Sequence, residues 1–120
     1  MQEKRTSKGG RLAVVGSRGW SDRARLFAVL DDRAPAAVVS GGADGADTLA
    51  EEWARSRGVP CTVIRPDYAK HGRGAPLIRN KTIVESADAV LAFWDGKSRG
   101  TLNAIDHARK AGKDVEIVSI

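Results

Sequence analysis

The feature that most constrains this chain is a repeated unit: a short apolar run, a glycine-rich break, then a stretch with helical periodicity. Leu12-Ala13-Val14-Val15 ends at Gly16, Ala36-Ala37-Val38-Val39 ends at Ser40-Gly41-Gly42, and Ala89 to Trp94 ends at Asp95-Gly96. Cys61 to Ile64 and Val115 to Val118 complete the set. Unbroken apolar runs of this length, bounded by glycine, predict strands buried on both faces of a parallel sheet. The segments between them predict helices. Ser21-Asp22 opens the first, with Leu26, Val29 and Leu30 on its inner side, and Pro35 stops it after Ala34. Asp44 or Gly45 opens the second, which carries Leu49, Ala50, Trp53 and Ala54 at helical spacing through Arg57 and stops at Gly58. Pro76 starts a third through about Ser86, and Thr101 to Ala111 forms a fourth ended by Gly112. Arg65 to Ala75, with Asp67, Tyr68, Lys70, His71 and Arg73, reads as a long polar loop.

Alternation of this kind predicts an α/β fold: a single Rossmann-like, three-layer domain of about five parallel strands with helices on both faces. The chain of 120 residues suffices for one such core and is too short for two. Residues 12–120 are assigned to the domain and residues 1–11 to a flexible basic tail. Lys4, Arg5, Lys8 and Arg11 oppose only Glu3 there, so the tail holds much of the net charge of +5. Such a tail either touches nucleic acid or keeps the chain soluble. No apolar run approaches the roughly 18 residues of a membrane span, which predicts a soluble, cytoplasmic protein without membrane contact. Cys61 stands alone in VPCTVI and is expected to be a buried structural thiol. His71 and His107 lie outside any ligand spacing, so no metal and no cofactor is expected.

In open parallel sheets, ligands bind beyond the carboxyl ends of the strands, where the strand order reverses. Three loops qualify. In Gly16-Ser17-Arg18-Gly19-Trp20 the glycines admit a ligand close to the backbone, the amides suit an anion, and Arg18 adds a planar donor. In Ser40-Gly41-Gly42-Ala43-Asp44-Gly45-Ala46-Asp47 the paired glycines suit a phosphate or ribose cradle, while Asp44 and Asp47 either cap the helix or face the ligand. In Asp95-Gly96-Lys97-Ser98-Arg99-Gly100-Thr101 the hydroxyls of Ser98 and Thr101 either hold phosphate or cap the helix beside Gly100. Asn80 falls on the apolar stripe of its helix and requires a polar partner, either backbone across the switch point or the ligand. Arg79 beside it is the strongest phosphate clamp. Trp53 belongs to the core by its spacing with Leu49, whereas Trp20 and Trp94 fall beside the cleft, where an indole stacks on a base or packs inward.

The ordered motifs VVGSRGW, SGGADGADTLAEEWARSRGVP and IRNKTIVESADAVLAFWDGKSRGT together resemble the SLOG superfamily, in particular its small YspA-like members. The same order is similar to the Rossmann core of the DNA-processing protein DprA, with its GSR loop, SGGA-G loop and RN helix start, and more distantly to the LOG phosphoribohydrolases. The likeness covers roughly residues 12–119. It implies a nucleotide or nucleotide-derived ligand, sometimes within bacterial or phage conflict systems, and the DprA branch implies single-stranded DNA. The LOG branch implies cleavage of the base–ribose bond by an arginine and a glutamate three residues after a glycine-threonine pair. Arg79 matches that arginine and Gly100-Thr101 that pair, but Ala104 stands at the glutamate position, preceded by Asn103. A hydrolase built on this chain would rely on Asp44, Asp47 or Asp95 beside Arg79. The expectation is therefore a nucleotide-binding module, with a phosphoribohydrolase-like enzyme and a DprA-like single-stranded DNA binder as alternatives. The resemblance also implies a homodimer formed through helices beside the cleft.

Overall fold

The structure is a computed structural model that describes residues 10–120. The elements follow in the order β1 (Arg11–Gly16), α1 (Arg23–Arg33), β2 (Ala37–Ser40), α2 (Ala46–Arg57), β3 (Cys61–Val63), α3 (Tyr68–His71), a 3-10 turn (Gly72–Gly74), α4 (Ala75–Glu85), β4 (Ala89–Trp94), α5 (Arg99–Lys110) and β5 (Asp114–Ser119). All five strands are parallel, in the order β3-β2-β1-β4-β5. The sheet runs outward from β1 to β3, and the chain then returns to place β4 on the other side of β1. The reversal lies between β1 and β4, and a crevice opens there.

Successive side chains of a strand point to opposite faces, so a strand sandwiched between helices must be apolar throughout. In β1, Leu12 and Val14 pack with Leu26, Leu30 and Trp53 of α1 and α2. Ala13 and Val15 pack with Ile83, Ile105 and Ala108 of α4 and α5. The expected three layers are thus formed, with β1 and β4 at their centre. Asp22 caps α1 by accepting from the Arg25 amide at 3.1 Å. Gly58 ends α2 in the left-handed region at φ +69, where a side chain would be strained. Trp53 is buried in the core, its indole N–H donating to Asp31 at 2.9 Å.

Several sequence expectations are corrected. Cys61 is exposed, because β3 is an edge strand of only three residues whose outer side pairs with no strand among the described residues. The polar segment after β3 is not a plain loop: Asp67 caps the Lys70 amide at 3.1 Å and the chain folds into α3 and the 3-10 turn. Arg11 is the first residue of β1, tied by its amide to Asp88 at 2.8 Å and by its guanidinium to the Ser86 carbonyl at 2.7 Å. The remaining tail, residues 1–9, lies outside the described residues. Among the described residues no helix is long and apolar enough to cross a membrane.

Candidate functional site

The loops that follow β1, β2 and β4 meet over the carboxyl end of the sheet. Gly16 is there for packing: a Cβ on it would lie 2.6 Å from the Ala46 Cβ and 2.8 Å from the Phe93 carbonyl oxygen. The next amide, of Ser17, donates to that same carbonyl at 3.1 Å, which binds the β1 loop to the end of β4. Gly45, the N-cap of α2, has φ +79, and a Cβ there would meet the carbonyl oxygens of Ser17 and Arg18 at 2.4 Å. The first loop and the start of α2 therefore touch backbone to backbone, and only glycine permits it.

Two chambers open over these loops. One, of about 350 Å³, lies between the β1 loop, the start of α4 and the β4 loop, and is lined by Ser17, Asp95, Ser98, Gly100 and Thr101 with Pro76, Leu77 and Ile83. The other, of about 360 Å³, lies over the β2 and β3 ends and is lined by Gly41, Gly42, Asp44, Arg65, Pro66 and Tyr68. Arg18, Ala43 and Arg79 line both chambers.

Arg79 is the centre of the site. It is only 9% exposed; its Nη1 donates to the Gly41 carbonyl and its Nε to Asn80 Oδ1 at 3.1 Å. A Cβ on Gly41 would lie 2.6 Å from that Nη1, so the glycine makes room for the guanidinium. Asn80 settles its polar requirement across the switch point, donating to the Gly100 carbonyl at 3.2 Å and to Asn103 Oδ1 at 3.1 Å. It joins α4 to the start of α5 and holds Arg79 from behind. Burial pulls the Arg79 guanidinium down from its ordinary value, and the neighbouring Asp47 charge opposes that.

Asp47 is buried in the first turn of α2, where Oδ2 accepts from the Ala43 amide at 3.1 Å. Burial raises its carboxyl to about 6, against the pull of that amide and of Arg79. The N-terminus of α2 has no side-chain cap, since Gly45 has none to offer. At the other helix, the Ser98 Oγ accepts from the Thr101 amide at 3.4 Å and lies 3.0 Å from Thr101 Oγ1, so both hydroxyls serve the cap. Asp95 Oδ1 accepts from the Lys97 and Ser98 amides at 2.8 Å each, which holds its carboxyl below the ordinary range. Ser17 Oγ is the one buried side-chain polar atom without a hydrogen bond among the described residues. Its hydroxyl adds a weaker downward pull on Asp95, although no contact between them meets hydrogen-bond geometry.

Gly16, Ser17, Arg18, Gly41, Gly42, Asp44, Asp47, Arg79, Asn80, Ser98, Gly100 and Thr101 all line one chamber or the other. Three expected residues do not. Trp20 stacks on Phe93 at 4.7 Å between ring centroids, with planes 22° apart, and borders a separate shallow depression. Trp94 turns its indole N–H to the Ser98 carbonyl at 3.0 Å and packs on the α4–α5 side of the core. Ser40 is fully buried, its hydroxyl donating to Glu51 at 2.7 Å while accepting from the Gly42 amide at 3.2 Å. In each case a partner inside the fold satisfies the group. Arg65 and Tyr68 were missed because they follow β3; only the placement of β3 beside β2 brings them to the glycine loop, where Arg65 donates to the Gly42 carbonyl at 3.2 Å. At the position where LOG enzymes carry glutamate, Ala104 is buried in the core.

The comparisons agree with this architecture. The family model of the YspA, cpYpsA-related SLOG family (YAcAr) matches residues 10–71. The Gene 61 protein of Mycobacterium phage D29 is 41% identical over 113 residues, covering 85% of this chain and 90% of that protein. DNA processing protein A from Helicobacter pylori superposes with a TM-score of 0.71 at 20% identity, over 89% of this chain. The Streptococcus pneumoniae DprA does so with a TM-score of 0.72 at 22% identity, over 91% of this chain. The chain spans 64% and 50% of those two proteins, so the likeness is to their core and is one of fold. With the glycine loops, the buried arginine and the strand order all in place, this chain belongs to the YspA, cpYpsA-related SLOG family.

Proposed function

We propose that this protein binds a phosphate-bearing nucleotide or nucleotide derivative in the double-chambered cleft at the carboxyl end of the sheet. One observation carries the reading: Arg18, Arg65 and Arg79 converge on the cleft, and among the described residues none of them forms an ion pair within 4.0 Å. Arg65 and Arg79 spend donors only on neutral acceptors, the Gly42 and Gly41 carbonyls and Asn80. Guanidinium groups that no ion pair closes recognise phosphate, because their planar donors match its oxygens; the Asp47 charge near Arg79 offsets only part of this. The α2 N-terminus, without a side-chain cap, turns the positive end of its helix dipole toward the same loops. The reading contains no hydrolytic step, since the carboxylate position of the LOG enzymes is a buried alanine.

Isothermal titration with nucleoside mono-, di- and triphosphates tests this. Binding tighter than millimolar, weakened by Arg65→Ala and weakened about 100-fold by Arg79→Lys, is the expected result. No binding by any member of the panel would overturn the reading.

A second reading has its own support. The Helicobacter pylori protein of this fold is described with a single-stranded DNA binding mode, and Arg18 and Arg65 are exposed along the cleft. A strand lying there would bind with a steep salt dependence, through release of counterions. A mononucleotide would show a shallow one.

A further inference from the structure

The cleft has an internal symmetry of size that a single terminal phosphate does not use. Its chambers, about 350 and 360 Å³, meet at a wall made of Arg18, Ala43 and Arg79. Resting on the nucleotide reading above, we propose that the ligand carries an internal phosphate, as a diester or an anhydride, with a nucleoside-sized group on each side.

Arg18 and Arg79 favour the phosphate at the shared wall, against the Asp47 carboxylate beside Arg79. In the first chamber Asp95 is ionised, its carboxylate stabilised by the Lys97 and Ser98 amides, and it repels an anion pushed to that end. The same chamber offers what a sugar and base require. Ser17 is 7% exposed, its hydroxyl makes no hydrogen bond of good geometry among the described residues, Asp95 lies near it, and Pro76, Leu77 and Ile83 supply an apolar wall. A buried hydroxyl without a partner is costly unless a ligand completes it. The second chamber has the Tyr68 ring, 58% exposed, beside Pro66 and the Arg65 guanidinium, a surface on which a base stacks. Among the described residues Arg18 and Arg79 are the charged ones that line both spaces, so a phosphate held by them has room for a substituent on either side. Each chamber falls at the low end of the roughly 300–1,000 Å³ range of small-molecule sites, which suits one nucleoside apiece.

The test is calorimetry on the full chain with three probe sets, each made with all four common bases. These are the 5′-mononucleotides, the dinucleoside monophosphates with one phosphodiester, and the dinucleoside diphosphates with one pyrophosphate. The expected result is a two-nucleoside probe binding about ten-fold or more tighter than its mononucleotide, the gain of a second seated base. Tyr68→Ala, on an exposed side chain outside the core, should erase that advantage, bringing the two-nucleoside probes down to mononucleotide affinity. Ser17→Ala should weaken both probe types without lowering the melting temperature. A hexadeoxynucleotide separates the sources of the diester: affinity equal to the dinucleotide's supports a small dinucleotide. Much tighter binding that collapses in salt supports a strand, with its internal phosphate at the same wall. Mononucleotides binding as tightly as both two-nucleoside sets would overturn the proposal while sparing the nucleotide reading. Failure of every probe would overturn both.

Discussion

The molecule carries two groups of arginines that differ in what answers their charge. On the outer side of α1 and α2, Arg57 makes a two-pronged contact with Asp31, both bonds at 2.9 Å, and Arg23 bonds Glu52 at 2.7 Å. Their guanidinium carbons sit 5.3 and 4.1 Å from the Phe27 ring centroid, so the aromatic is flanked by both. A third arginine, Arg33, ties the end of α1 to Glu116 of β5. In the cleft, Arg18, Arg65 and Arg79 form no ion pair within 4.0 Å among the described residues. The carboxylates respond in opposite senses. Hydrogen bonding from Arg57 pulls Asp31 down to about 2, whereas burial lifts Asp47 to about 6 despite the nearby Arg79. The first group is closed by ion pairs and holds two helices together; in the second, Arg65 and Arg79 are held by neutral acceptors.

The sharpest way to break the comparison is to exchange its effects. Phe27→Ala, at the centre of the closed group, should cost roughly 3 kcal/mol of stability in urea denaturation and leave ligand affinity unchanged. Arg79→Lys should do the reverse, lowering affinity about 100-fold by calorimetry with a small change in melting temperature, because a lysine keeps the charge but not the fork. Equal losses of stability from the two would mean that Arg79 is structural in the same sense as Arg57.

A smaller effect separates the glycines. Gly45→Ala should destabilise by roughly 2 kcal/mol, since a Cβ meets two carbonyl oxygens at a positive φ. Gly19→Ala in the same wall has nothing within 4 Å and should be close to neutral in thermal denaturation.

The pH responses should also diverge. Asp47 has its folded value raised from 3.8 to about 6, so its contribution favours folding at low pH and is lost as pH rises through about 6. Asp31 is lowered, so its contribution is present above 3.8 and lost as pH falls toward 2. An anion at Arg79 draws charge away from Asp47 and raises it further. Ligand binding should therefore take up protons near pH 6 and weaken as pH rises through that value. Calorimetry in buffers of different ionisation enthalpy reads the uptake, and Asp47→Asn should remove it.

Much of this was legible in the sequence. Strand burial shows directly in residue type, because a strand covered on both faces must be apolar at every position, and Leu12 to Val15 and Ala89 to Phe93 are. Helix ends were equally plain at Asp22 and Gly58, where capping is a local matter of one side chain or one positive φ. The glycine loops and Arg79 were placed at the cleft by the rule that ligands sit at strand carboxyl ends.

Other features depend on neighbours distant in the chain. Whether Cys61 is covered depends on whether a strand pairs beyond β3, and among the described residues none does. Whether Trp20 and Trp94 face a ligand depends on Phe93 and on the Ser98 carbonyl, which take the ring of one and the N–H of the other. Gly41 reads alike whether it approaches a ligand or the Arg79 guanidinium 38 residues away. The amino-acid pattern by itself determined the layers, the strands and the loops that meet, because burial and capping are set by residue type and local spacing. Only the tertiary structure decided which polar groups the fold satisfies and which it leaves for a ligand, because a hydrogen bond or ion pair exists only once distant segments are brought within about 3 Å.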